Sequence, residues 1–340
     1  MEKLNLGVAY HGNRMLGHVK DDMKDIAAHN MNLVVHMFTH NDMNRHKNVM
    51  KEIIDVTKDF GLDVWIDNWG FGGPPGDVSH ILQYYPEAHQ VYSDGEVDPV
   101  RVCFNSKNYL KFTKEWLDMV KECGGDKIFW DEPHLRIWDS GVYSCCCPTC
   151  KKLFEEKYNK PMPALVTDEV REFQNFSMSN YFNQATMYAK ELGMENIVCL
   201  MGISEQFTKG LMSLDTIDDV GTDPYWIGRG ADPYGYVYEK SKLFVDTAKE
   251  HGKRSHIWLQ TFSNKPGRED EIYLAAEAAY DAGARNILAW SYRGGEACDY
   301  KAANCDLVWN VTGDAMRRLK DRHIDEWRNA KRKEFNVNIK

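Results

Sequence analysis

Cys145, Cys147 and Cys150 form a C-x-C-x2-C run, with Cys146 between them. Thiolates at this spacing on a tight loop can each reach one ion at about 2.3 Å. A tetrahedral Zn(II) needs a fourth ligand. Cys103, just ahead of a helical segment, is the expected one, with Cys146 as the alternative. Four thiolates leave no open position, so such an ion is structural. A second set of residues is acidic. Phe129-Trp130 runs straight into Asp131-Glu132-Pro133-His134. Two acids after an apolar run are costly unless solvated, paired or functional. Other apolar runs end on Asp67-Asn68-Trp69, on Asp223-Pro224-Tyr225-Trp226, and on Trp290 through Arg293 to Glu296.

These residues sit at the ends of short apolar runs. The runs predict strands over 6–10, 33–38, 62–68, 127–130, 197–201, 220–225, 256–262 and 286–292, the fifth leading toward Glu205. Helical patterns separate most of them. In 107–123, Phe112, Trp116, Met119, Val120 and Cys123 fall on one face of a 3.6-residue period. Further helices are expected over 19–28, 45–60 and 313–327. Strands alternating with helices imply parallel pairing with right-handed crossovers. Eight such units predict an α/β fold of the (β/α)8 TIM barrel type. The whole chain, 1–340, reads as one barrel domain. Insertions after strands three and four, at about 70–106 and 133–168, leave from the C-terminal end of a strand. That end carries the active site of such barrels, so both are expected to wall it.

Composition narrows the function. The 340 residues carry 42 basic and 51 acidic side chains, a net charge of −9, which argues against a nucleic-acid partner. No apolar run approaches the roughly 18 residues of a membrane span. The first residues enter a strand pattern without a signal-peptide stretch, so a cytoplasmic location is expected. Nine cysteines then read as reduced thiols or a metal site. No GxGxxG follows the first strand, and no organic cofactor is expected.

At the mouth of a barrel the strand-end residues would converge. The inventory is Tyr10, His36, Trp69, Asp131, His134, Tyr225, Trp226, Gln260, Trp290, Arg293 and Glu296, together with the acids Glu132, Asp67 and Asp223. Aromatic platforms and carboxylates suit a carbohydrate. Glycoside cleavage needs two carboxyl groups, one to protonate the leaving oxygen and one to act as nucleophile or base. Glu132 is the expected general acid, and Asp223 or Asp67 the second carboxylate. Arg293 hints at an acidic sugar such as a uronate.

The chain resembles the retaining glycoside hydrolases of clan A, with family-42 β-galactosidases as the closest echo. The resemblance rests on Cys103-Phe104-Asn105-Ser106 and on Cys145 to Cys150 followed by Lys151-Lys152-Leu153-Phe154 and Tyr158. It implies a zinc cluster of Cys103, Cys145, Cys147 and Cys150, an acid/base at Glu132 and a subsite floor at Trp290. The chain departs from that pattern in two places. Asp131 stands where the clan usually has Asn, and Gln260 stands at the strand-seven position of the nucleophilic Glu. The expected function is therefore hydrolysis of a small glycoside or oligosaccharide by an unassigned carboxyl pair. The alternatives are a metal-dependent sugar lyase or isomerase using His11, His36, Asp67 and Asp223, and a carbohydrate-binding barrel without catalysis. Barrels of this kind often self-associate, which leaves a homo-oligomer open.

Overall fold

The computed structural model describes residues 2–69, 80–204 and 208–337. Eight parallel strands close into a barrel. They are β1 (Asn5–Tyr10), β2 (Leu33–Met37), β3 (Asp63–Asp67), β6 (Lys127–Trp130), β7 (Glu195–Cys199), β8 (Asp219–Thr222), β9 (Arg254–Gln260) and β10 (Asn286–Trp290). Their order round the barrel is β1-β10-β9-β8-β7-β6-β3-β2. The helices between them are α1 (Leu16–Ala28), α2 (His40–Arg45), α3 (Lys47–Asp59), α4 (Ile81–Tyr84), α5 (Lys107–Glu122), α6 (Pro148–Tyr158), α7 (Asp168–Glu191), α8 (Pro233–Glu250), α9 (Glu271–Asp281) and α10 (Cys305–Val337). The strands are buried almost throughout because a parallel sheet is covered on both faces. No helix among the described residues is long and apolar enough to cross a membrane.

Contacts gather the chain into two compact units. One comprises residues 1–36, 55–64 and 221–340; the other comprises 37–54 and 65–220. In the first, Gly221 on β8 permits a close approach, since a Cβ there would lie 2.1 Å from the His256 carbonyl oxygen of β9. Its last helix, α10, is much longer than the sequence pattern suggests. In the second, α5 begins where Ser106 Oγ accepts the Tyr109 N–H, and it buries Phe112, Trp116 and Val120. Trp116 Nε1 then donates to the Phe38 carbonyl at 2.8 Å, fixing helix to strand end.

The first insertion contains an element that the sequence reading does not include. β4 (His89–Val91) and β5 (Val97–Val102) form an antiparallel hairpin outside the barrel. It is tied to the segment after β6. Cys146 donates its backbone N–H to the Val91 carbonyl, and Ser144 Oγ donates to Gln90 Oε1 at 2.7 Å. The Gly- and Pro-rich stretch 70–76 and Glu205 lie outside the described residues.

Candidate active site

In the second unit, strand alternation decides which side chains enter the barrel. Trp130 faces outward: its Nε1 donates to Asn196 Oδ1 at 3.0 Å, and its ring meets Phe182 of α7 edge-on at 5.6 Å. Neighbouring residues on a strand face opposite ways, so Phe129 faces inward, and Asp131 is the first residue beyond the strand. Phe129 stacks on Trp65 of β3, centroids 6.3 Å apart. Asp67, two residues beyond Trp65, shares that inner face and stands opposite Phe129 in the β3–β6 register. Asp67 is the last residue of β3, and Asp131 directly follows β6, the strand hydrogen-bonded to it.

Asp67 has no exposed surface. Its Oδ1 accepts the Trp69 N–H at 2.9 Å, and Oδ2 has no hydrogen-bond partner among the described residues. Burial outweighs that single bond and raises its pKa well above the usual carboxylate range, so the group is held neutral. Glu132, two residues beyond the end of β6, has a positive φ of 38°. For a residue with a Cβ this is a strained conformation of the kind that gathers at functional sites. His134 follows, and its Nδ1–H donates to the Glu132 carbonyl at 2.7 Å. The carbonyl can only accept, so the neutral ring keeps its lone pair on Nε2. Burial lowers the His134 pKa below the usual value.

The first unit carries the other expected site residues, and several turn away from the barrel interior. The Tyr10 hydroxyl donates to Asp22 of α1 at 2.5 Å. His36 Nε2 meets Thr57 Oγ1 of α3 at 2.8 Å, and the residue is wholly buried. Trp226 is also wholly buried and donates Nε1 to Glu271 of α9 at 2.8 Å. The expectation that His36 and Trp226 line the mouth is thus corrected, because each faces the helix layer, whereas Tyr10 lines a cavity at the ends of β1 and β10. Gln260 has a backbone role. Its Oε1 accepts the Ile227 N–H at 3.0 Å, and its Nε2 donates to the Phe262 carbonyl at 3.4 Å. Trp290 is nearly buried and meets Trp258 and His11 edge-on at 5.4 and 4.7 Å. Tyr225 packs edge-on against Phe262 at 5.0 Å, two residues beyond Asp223. Arg293 is paired with Glu296 at 2.6 Å and with Asp306.

The cysteine cluster is assembled within the second unit. Cys103 follows β5, Cys145 and Cys147 precede α6, and Cys150 lies in its first turn. All four are buried, and their sulfurs lie within 4.8 Å of one another. Cys103 and Cys150 sulfurs are 3.4 Å apart, and Cys103 and Cys147 sulfurs 3.7 Å. A disulfide would need about 2.05 Å. Sulfurs about 2.3 Å from one tetrahedral ion stand roughly 3.8 Å apart, close to these distances. Asn105 aims its backbone N–H at Cys103 Sγ (3.4 Å) and its Nδ2 at Cys150 Sγ (3.2 Å). Donors directed at sulfur suit thiolates, so the four cysteines could hold a metal ion. Cys146 lies outside the group and faces Tyr143.

The fold has many solved counterparts. The catalytic domain of β-amylase from Paenibacillus polymyxa covers 91% of this chain and 94% of its own, with TM-score 0.60 and 10% identity. The endo-1,4-β-mannanase of Rhizomucor miehei covers 93% and 95%, with TM-score 0.60 and 10% identity. D-psicose 3-epimerase from Clostridium cellulolyticum H10 covers 93% and 98%, with TM-score 0.53 and 11% identity. At these identities the likeness is one of fold. No family model and no curated protein matches the sequence.

Asp131, expected among the substrate-binding residues, directly follows β6, the neighbour of the strand that carries Asp67.

Proposed function

We propose that this chain is a glycoside hydrolase whose carboxyl groups come from β3 and β6. Asp131 is the ionised carboxylate that acts at the anomeric centre, as nucleophile or as base on water. Glu132 protonates the leaving oxygen. Asp67 is the neighbouring acid, and burial holds its pKa well above the usual carboxylate range. The reading is supported by Asp67 ending β3 beside β6, the strand that Asp131 and Glu132 directly follow. It moves the second carboxylate from Asp223 or Asp67 to Asp131. The β-amylase and mannanase folds support a sugar substrate by analogy of fold. For the metal-dependent lyase or isomerase reading, His36 is wholly buried with Nε2 on Thr57 of α3, away from the strand-end acids.

The buried cysteines would hold a structural Zn(II), in keeping with the layout that resembles family 42. With four thiolate ligands it ties the β4–β5 hairpin to the segment after β6 and takes no part in the reaction. The two insertions would then wall the barrel mouth as one braced unit.

The test is turnover of a panel of aryl α- and β-glycosides. Glu132→Gln should lose activity on poor leaving groups and keep it on the most acidic phenols, which need little protonation. Turnover of free sugars that is abolished by chelators while the fold stays intact would replace this reading with the isomerase.

A further inference from the structure

A cavity of about 440 Å³ lies at the C-terminal ends of β1 and β10. Its wall includes His11, Asn13, Asp22, Tyr292, Arg293 and Glu296. The volume falls within the roughly 300–1,000 Å³ of small-molecule sites. The wall is held in place by its own hydrogen bonds. Asp22 Oδ2 accepts the Tyr10 hydroxyl at 2.5 Å and Asn13 Nδ2 at 3.4 Å, and Asp22 Oδ1 accepts the Tyr292 hydroxyl at 3.1 Å. Tyr292 also donates to Asp25, which accepts Trp309 Nε1 at 2.8 Å. The Tyr10 and Tyr292 rings meet edge-on at 5.5 Å.

The charges on this wall select a ligand class. The Arg293 guanidinium is engaged by Glu296 and Asp306, so its charge is already balanced. Arg14, close by, donates to the Gly12 carbonyl at 3.0 Å. Burial, assisted by Arg14, lowers the His11 pKa to about 4, so the ring is neutral at neutral pH. Of the charged groups lining the cavity, Asp22 and Glu296 face a single paired Arg293, which leaves an excess of negative charge. A ligand carboxylate would meet a like charge there, with the lining cation Arg293 already paired, whereas hydroxyls would meet carboxylate acceptors and the amide of Asn13.

We propose that this cavity binds a neutral, polyhydroxylated ligand of one or two sugar rings and discriminates against acidic sugars. The inference rests on the sugar-active reading of the barrel, and it reverses the uronate preference that Arg293 suggests in the sequence.

The test is binding, measured by calorimetry and ligand-observed NMR on the full chain. The probes are methyl glycosides of glucose, galactose, mannose and xylose, set against glucuronic and galacturonic acids. At least one neutral sugar should bind at least tenfold more tightly than the acids. Asn13→Ala, an exposed change with little risk to folding, should weaken neutral-sugar binding severalfold. Asp22→Asn should narrow the gap between neutral and acidic ligands. Uronic acids that bind as tightly as neutral sugars would overturn the proposal. So would failure of every sugar to bind, even with aryl-glycoside turnover intact. Neutral-sugar binding without any turnover would instead overturn the hydrolase and leave the cavity assignment standing.

Discussion

Asp67 of β3 stands opposite Phe129 of β6, two residues before Asp131, which directly follows that strand. Burial raises the Asp67 pKa well above the usual carboxylate range, so that the group keeps its proton.

That neutrality has a thermodynamic consequence. The folded state keeps a proton on Asp67 above pH 4, while the unfolded chain releases it. Wild-type stability should therefore fall as pH rises above about 4, relative to Asp67→Asn, at up to about 1.4 kcal/mol per pH unit until the folded-state pKa is reached. Denaturant melts of both proteins from pH 4 to 8 measure it. Parallel curves would show that Asp67 ionises freely in the folded chain.

His36 gives the opposite sign. Burial, assisted by Arg14, lowers its pKa to about 3. Below pH 6.5 the unfolded chain takes up a proton that the folded chain refuses. Stability should drop as pH falls from 6.5 toward 3, by about 1.4 kcal/mol per unit from this residue alone. His36→Gln should remove that slope, as read from the same melts between pH 6.5 and 4.5.

Gln260 acts on the loop after β8. Gln260→Ala leaves the Ile227 N–H without its acceptor in a buried setting and should cost about 1–3 kcal/mol. Gln260→Glu puts a carboxylate at the position where clan-A enzymes carry their nucleophile. It should not raise turnover, because in this account Asp131 already supplies the carboxylate. Thermal melts and aryl-glycoside rates separate the two effects.

The cysteine cluster should carry one zinc ion per chain by elemental analysis. Cys147→Ser should lower that content, and a strong chelator should lower the melting temperature by about 5 °C or more, since structural metal contributes directly to folding. Full stability with no metal and four titratable thiols would contradict the assignment.

The barrel was legible because parallel strands covered on both faces read as apolar runs, and helices such as α5 carry an unbroken 3.6-residue stripe. The cysteine set was equally legible, since C-x-C-x2-C has few structural uses. The β4–β5 hairpin was not. Its strands are short and sit on an insertion, and β5 carries Asp98, Pro99 and Arg101 in place of an apolar run. The direction of His36 and Trp226 was also hidden. Each ends or follows a strand, and the partner that turns it toward the helix layer lies elsewhere in the chain: Thr57 and Glu271. Asp131 and Glu132 lie beyond the last residue of β6, where strand alternation no longer fixes a side chain's direction.

The central claim is that Asp131 is the working carboxylate of a glycoside hydrolase. Azide rescue of Asp131→Ala on the best aryl glycoside tests it most directly. The variant should lose about a thousandfold or more in kcat, and azide should restore turnover with formation of a glycosyl azide of inverted anomeric configuration. An Asp131→Ala enzyme that hydrolyses the same substrate at the wild-type rate, indifferent to azide, would contradict it.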